Sequence, residues 1–198
     1  MEYIKGIENF TSKRDSCVMV GKFDGIHRGH HLLAKKLVGY AKKNGMSSIS
    51  VTFDISPRIK LLGPGAEKNI ITADERSMLL EREGVDVLLE LRFTDELMSM
   101  EPEDFIRMLC ERLHMKHIVC GTDFTFGHYG KGDIKLLKAL SGPLGFDTDI
   151  VEKIKSDRRD ISSSFVREEL MAGRIEQANA LLGYNYFVYG EVIHGNHI

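Results

Sequence analysis

His27-Arg28-Gly29-His30 places two imidazoles between an apolar run and an amphipathic one. The apolar run is Cys17-Val18-Met19-Val20, and the amphipathic one is His31-Leu32-Leu33-Ala34-Lys35-Lys36-Leu37-Val38. Between them lies Gly21-Lys22-Phe23-Asp24-Gly25-Ile26. This order predicts a buried strand, a tight glycine turn and a helix. At that junction the imidazoles meet the unpaired N–H groups and positive dipole end of a helix, a place that attracts phosphate. Gly21, Gly25 and Gly29 permit a tight backbone and close ligand approach. Asp24 either caps the turn or helps hold a magnesium-bound triphosphate. A zinc reading of His27 and His30 has no Cys, Asp or Glu at ligand spacing to complete it, so no protein metal site is expected. His31, the next helical residue, points to a different side. The pattern points to phosphate chemistry.

Two later stretches carry matching signals. Ile161-Ser162-Ser163-Ser164-Phe165-Val166-Arg167 puts three hydroxyls before a helix expected to begin near Phe165, with Arg167 one turn inside. Hydroxyls and helix N–H groups together could hold β- and γ-phosphates, Arg167 supplying the counter-charge. An ordinary serine N-cap would need only one of the three. Gly121-Thr122-Asp123-Phe124-Thr125-Phe126-Gly127 follows an apolar run. Its alternating phenylalanines could bracket a flat ring with Asp123 hydrogen-bonding to it, or they could pack in the core.

These residues need a frame. Strands are expected at Ser48–Phe53, Val85–Leu91, Lys116–Cys120 and Phe146–Val151, alternating with helices at His31–Asn44, Ala73–Glu83, Pro102–His114 and near Gly132–Leu140. That alternation predicts an α/β fold, a Rossmann-like parallel sheet with helices on both faces. Ligands bind beyond the carboxyl ends of such strands, where the histidine loop falls. Asp54–Ile71 offers no clear helix or strand and is expected to be a mobile flap near the site, with plain disorder the competing reading. Glu168–Leu182 reads as two short helices split at Gly173, a small helical extension, followed by a strand at Tyr186–Ile193.

Composition bounds the rest. At 198 residues, 42% hydrophobic and 28% charged, the chain can bury a sizeable core under a polar surface. A net charge of −2 gives no ground for a nucleic-acid or polyanion binder. No signal-peptide pattern or membrane-spanning run is present. Cys17, Cys110 and Cys120 lack metal spacing, and an odd count flanked by apolar residues suits buried free thiols in the cytoplasm. Oligomeric state leaves no mark in the sequence.

Gly-x-Phe-Asp-Gly-x-His-x-Gly-His resembles the signature of the nucleotidyltransferase superfamily. The chain is similar more narrowly to the N-terminal FMN adenylyltransferase module of bacterial bifunctional riboflavin kinase/FMN adenylyltransferases. Thr52-Phe53-Asp54-Ile55-Ser56-Pro57 resembles that family's Thr-Phe-Asp-Pro-His-Pro, and Val119–Gly127 resembles Val-Val-Gly-x-Asp-Phe-Arg-Phe-Gly. Ile161–Arg167 resembles Ile-Ser-Ser-Thr-Arg-Ile-Arg. The resemblance implies transfer of AMP from ATP to FMN, giving FAD and pyrophosphate, with Mg2+ held mainly by substrate phosphates. It implies catalytic roles for His27, His30 and Arg167. ATP and phosphate contacts would come from Gly21, Lys22, Phe23, Asp24, Gly25, Gly29 and Ser162–Ser164. Flavin contacts would come from Phe53, Asp54, Ser56, Pro57, Asp123, Phe124 and Phe126. Among the positions that depart from the pattern, Lys22 stands for a frequent Asn, Ser56 for His, Thr125 for Arg and Phe165 for Arg. Residues 1–183 would form this domain and 184–198 the start of a riboflavin kinase-like domain. The kinase Pro-Thr-Ala-Asn motif is absent, so kinase activity is not expected. Another phosphate acceptor, or flavin and nucleotide binding without turnover, are the competing readings.

Overall fold

Ser16–Val20 is buried on both faces almost throughout, and a strand with no solvated face must lie inside a covered sheet. It does so as β2 of six parallel strands. The others are β1 (Glu2–Lys5), β3 (Ser47–Phe53), β4 (Val87–Leu91), β5 (Met115–Gly121) and β6 (Asp147–Val151). The computed structural model describes residues 1–63, 65 and 68–190. Across the sheet the order is β1-β4-β3-β2-β5-β6. The chain winds from β2 through β3 to β4, then returns to place β5 and β6 on the other side of β2. The winding reverses between β2 and β5, where Val18 pairs with Ile118. At such a reversal the loops diverge and leave a crevice beyond the strand ends.

Helices α1 (Arg28–Asn44), α3 (Ala73–Arg82), α7 (Ser163–Met171) and α8 (Ile175–Leu182) cover one face of the sheet. Ala34, Leu37, Val38 and Ala41 recur along α1 at the spacing of one helical stripe, and all four are buried against strand residues such as Cys17 and Met19. The opposite face, with Val18, Ile49, Val51 and Leu89, takes α5 (Pro102–Leu113) and α6 (Ile134–Leu144). Start signals agree with this placement. Thr72 and Glu75 form a reciprocal capping box for α3, and Pro102 opens α5. Burial pushes the thiols of Cys17 and Cys120 up to about 12, so both are inert core groups.

The expected architecture is present, with differences at particular segments. β1 was not foreseen, because four half-exposed residues carry too little pattern. The Asp54–Ile71 stretch contains a short helix, α2 (Pro57–Leu62), opened by proline at its first turn. Lys60 on α2 pairs with Asp95 on α4 (Asp95–Ser99) at 3.0 Å, a tertiary contact invisible in sequence. Residues 64, 66 and 67 of that stretch lie outside the described residues. A two-stranded hairpin, β7 (Lys155–Ser156) with β8 (Arg159–Asp160), also went unread. α7 begins at Ser163 rather than Phe165, so one of the three serines is its N-cap and two lie inside it.

The strand expected at Tyr186–Ile193 is not formed over its described part, 186–190. The aromatic run instead folds back onto the core. Tyr184 donates its hydroxyl to the Gly25 carbonyl at 2.7 Å, and Tyr186 donates to the Ile70 carbonyl at 3.2 Å. Tyr184, Tyr186 and Phe187 there pack against the core that α1 and α8 share, so the aromatic spacing serves packing rather than strand pairing. Residues 191–198 lie outside the described residues, as does most of the expected second-domain start.

Candidate active site

The loop between β2 and α1 is held in a conformation its sequence would not adopt alone. Phe23 and Ile26 carry φ of 50° and 35°, in the left-handed region where a β-branched residue is an outlier. Strain of about 1–3 kcal/mol at each such position persists only when the surroundings over-determine it. Here both side chains are fully buried. Gly25 has φ 82°, a conformation that favours glycine, and a Cβ there would stand 3.0 Å from Ile70 Cδ1, so that side chain would have to shift.

Asp24 is the tie at the centre of this loop. It is 3% exposed, and its Oδ1 accepts from the Ile70 and Ile71 amides at 2.8 and 3.3 Å. Its Oδ2 meets Arg167 Nη2 at 2.9 Å and Lys22 Nζ at 3.5 Å. Ser163 donates its hydroxyl to the Asp24 carbonyl at 2.7 Å. Of the two sequence readings of Asp24, this geometry fits the structural one, extended from a turn cap to a tie joining three segments. Arg167 differs from expectation in the same way. Its Nε donates to the Lys68 carbonyl, and its guanidinium pairs with Asp24.

His27 and His30 stack with ring centroids 3.8 Å apart and planes 17° from parallel. Phe23 meets the His30 ring edge-on at 5.3 Å. Among the described residues, neither buried histidine Nδ1 atom has a hydrogen-bond partner. Burial, reinforced by neighbouring His31, lowers the His27 pKa to about 4. Burial and then His27 and His31 hold His30 well below the ordinary imidazole range. The two rings are therefore neutral at pH 7, and each can donate one N–H.

Linkage gives a testable consequence. Between pH 6.5 and about 4 the unfolded chain binds a proton at His27 that the folded chain refuses. Stability should be full above pH 6.5 and fall as pH drops toward 4, with His30 contributing in the same direction. Thermal melts across this range should show the decline, and His27→Asn should flatten it. A slope unchanged by the substitution would mean that the ring is not held neutral.

The histidines line a cavity of about 270 Å³ with Gly21, Phe23, Gly29, Asp123, Lys153, Ser162 and Ser163. Ser162 caps α7, accepting from Phe165 N at 3.3 Å. Ser164 is exposed and lines, with Arg167, a separate shallow concavity over α7. Two of the three serines thus face the histidines and the third does not, since successive helical residues turn about 100°.

Beside this cavity lies an apolar one of about 450 Å³, lined by Lys22, Phe53, Phe93, Phe124, Phe126 and Tyr129 among others. Phe53 and Phe93 meet edge-on at 5.3 Å, and Phe124 stacks on Phe126 at 5.3 Å. Val20, Gly21 and Phe124 border both cavities. Gly21 allows this convergence, because a Cβ there would stand 3.0 Å from the Phe23 ring.

Three residues expected at a flavin do not line the apolar cavity. Asp123 faces the histidine cavity and pairs with Lys153 at 2.9 Å, because β5 ends between the two cavities. Asp54 is exposed, and its carboxylate accepts from the Ile55 and Phe93 amides, bracing the end of β3 against the loop after β4. Ser56 is buried ahead of α2 and lines neither cavity. The Pro57 side chain lies outside the description. Sequence reasoning missed Phe93, Tyr129, Glu152 and Lys153. Glu152 and Lys153 follow β6 directly and Phe93 follows β4 closely, so the rule that ligands bind beyond strand ends could have flagged them.

A family model described as FAD synthetase matches residues 9–165. A bifunctional riboflavin kinase/FMN adenylyltransferase of Bacillus subtilis (strain 168) is 36% identical over 183 residues, covering 91% of this chain and 57% of the relative. One from Buchnera aphidicola subsp. Schizaphis graminum is 32% identical over 201 residues, covering 100% of this chain and 64% of the relative. A crystal structure described as a macrolide-efflux protein from Streptococcus pneumoniae superposes with a TM-score of 0.88 at 31% identity, over 99% of this chain and 64% of that one. This chain therefore spans 57–64% of the length of these relatives. Among the described residues no helix is long and apolar enough to cross a membrane. With the matched region running from before the histidine loop to the serines that line its cavity, the chain belongs to the FAD synthetase family.

Proposed function

We propose that the chain transfers AMP from ATP to the phosphate of FMN, releasing pyrophosphate and leaving FAD, and that it does so in the cytoplasm. One observation carries the reading: a histidine-lined cavity and an apolar, aromatic one share Val20, Gly21 and Phe124 at the sheet's switch point. Adenylyl transfer to a flavin needs that pairing, with a phosphate donor and a flat apolar acceptor meeting at one wall.

An oxygen of the FMN phosphate attacks the α-phosphorus of ATP. A new P–O bond forms, the α–β bridging bond breaks, and its electrons leave on pyrophosphate. The attacking phosphate is already anionic at neutral pH, so no strong base is needed. Catalysis is then positioning and charge stabilisation. His27 and His30 donate hydrogen bonds to α- and β-phosphate oxygens. Ser162 and Ser163 hold the leaving pyrophosphate at the start of α7. Arg167 supports that group from outside the cavity, through Asp24 and the loop it fixes. Among the described residues no cluster of three His, Cys, Asp or Glu forms, and the Asp24 carboxylate is engaged. The donor set fits Mg2+ that would arrive on the triphosphate, and Asp123 and Glu152, the carboxylates among the described residues lining the cavity, would be available to hold it. Bound that way, the ion neutralises phosphate charge.

Protein incubated with FMN, ATP and Mg2+ should form FAD and pyrophosphate in equal amounts, read by chromatography and a coupled pyrophosphate assay. Pyrophosphate release with a different phosphate acceptor, or tight FMN and ATP binding without turnover, would overturn the assignment.

A further inference from the structure

We propose that Lys22 recognises the acceptor's phosphate and makes this chain select FMN over riboflavin. The proposal rests on the reading of the two cavities as donor and acceptor sites. Among the described residues, Lys22 is the single charged one lining the apolar cavity, whose other described walls are aliphatic, aromatic, glycine or threonine. A fused flavin ring brings no charge that would call for an ammonium group there. The phosphate is what distinguishes FMN from riboflavin, and it must reach the boundary with the histidine cavity for transfer to occur. Lys22 lines the apolar cavity and follows the shared Gly21 directly in the chain.

Its side chain is 25% exposed, and a phosphate contact in such a partly buried setting is screened less than one on the open surface. Its Nζ lies 3.5 Å from Asp24 Oδ2, a carboxylate that Arg167 already engages at 2.9 Å. The Asp24 contact restrains the lysine head. The backbone is restrained as well, because the Lys22 carbonyl accepts from the Thr52 hydroxyl at 3.3 Å. The same cavity is lined by Thr125 where the resembled motif carries arginine.

Flavin fluorescence titrations with FMN and with riboflavin, on the full chain and its Lys22→Met and Lys22→Asn variants, test this directly. The unaltered chain should bind FMN about tenfold or more tightly than riboflavin at low salt, the size expected of a charge-assisted phosphate contact. Both variants should bring the two affinities to within about threefold by weakening FMN alone. In steady state the KM for FMN should rise about tenfold while that for ATP changes by less than about twofold. Retained preference in the variants, or an equal rise in both KM values, would overturn the assignment. So would a parallel loss of riboflavin affinity, which would mark the lysine as structural. If the unaltered chain forms no FAD, the adenylyl-transfer reading fails, and the FMN-to-riboflavin ratio still decides the role of Lys22.

Discussion

Replacing His30 with alanine should slow FAD formation by about two to three orders of magnitude, the usual effect of removing one preorganised donor from a developing anion. The preorganisation is visible in the packing. The ring is stacked on His27 at 3.8 Å and met edge-on by Phe23 at 5.3 Å, so its orientation is set before substrate arrives. A donor fixed in advance contributes most where charge develops, so ATP affinity should change little while turnover collapses. Single-turnover rates and ATP titration on the same preparation separate the two. Unchanged turnover would make the stacked pair simple packing, and a parallel loss of ATP affinity would make it a ground-state binding element.

Removing the Asp24 side chain, as in Asp24→Ala, should cost about 3–5 kcal/mol, the scale for breaking a buried charge pair on one side. Two amides, Ile70 and Ile71, would lose their acceptor, and Arg167 and Lys22 would lose their shared carboxylate. Against a domain stability of about 5–15 kcal/mol that loss is large, and Tm should fall by about 10 °C or more. Activity should fall with it, because Phe23 and Ile26 keep their unfavourable backbone angles only while the loop is tied down. Asp24→Asn, which keeps an oxygen for the amides, should lose less stability. If Asp24→Ala abolishes activity with Tm unchanged, Asp24 is a ligand of substrate or metal and the tie is incidental. Urea melts and calorimetry distinguish the outcomes.

Local signals were legible where they coincided with periodicity. The strand before the histidines, the helix after them and the α/β alternation follow from runs such as Cys17–Val20 and the stripe at Ala34, Leu37, Val38 and Ala41. Helix α2 escaped because six residues give too few turns to show a period. The terminal aromatic run misled because alternation is shared by strands and by segments that pack alternate side chains inward. Tyr184 and Tyr186 belong to the second kind.

For the histidine loop, sequence alone determined the chemical type: imidazoles, glycines and hydroxyls around the start of helices, suited to phosphate. It also determined the order of elements, since periodicity is a property of neighbours along the chain. Tertiary structure decided which of these groups face each other. Asp24 and Arg167 pair across 143 positions of sequence, and Asp123 faces the histidines rather than the aromatic cavity. Those outcomes depend on where β5 and α7 lie relative to β2. The strand order and packing of the whole sheet set that arrangement, and no local pattern encodes it.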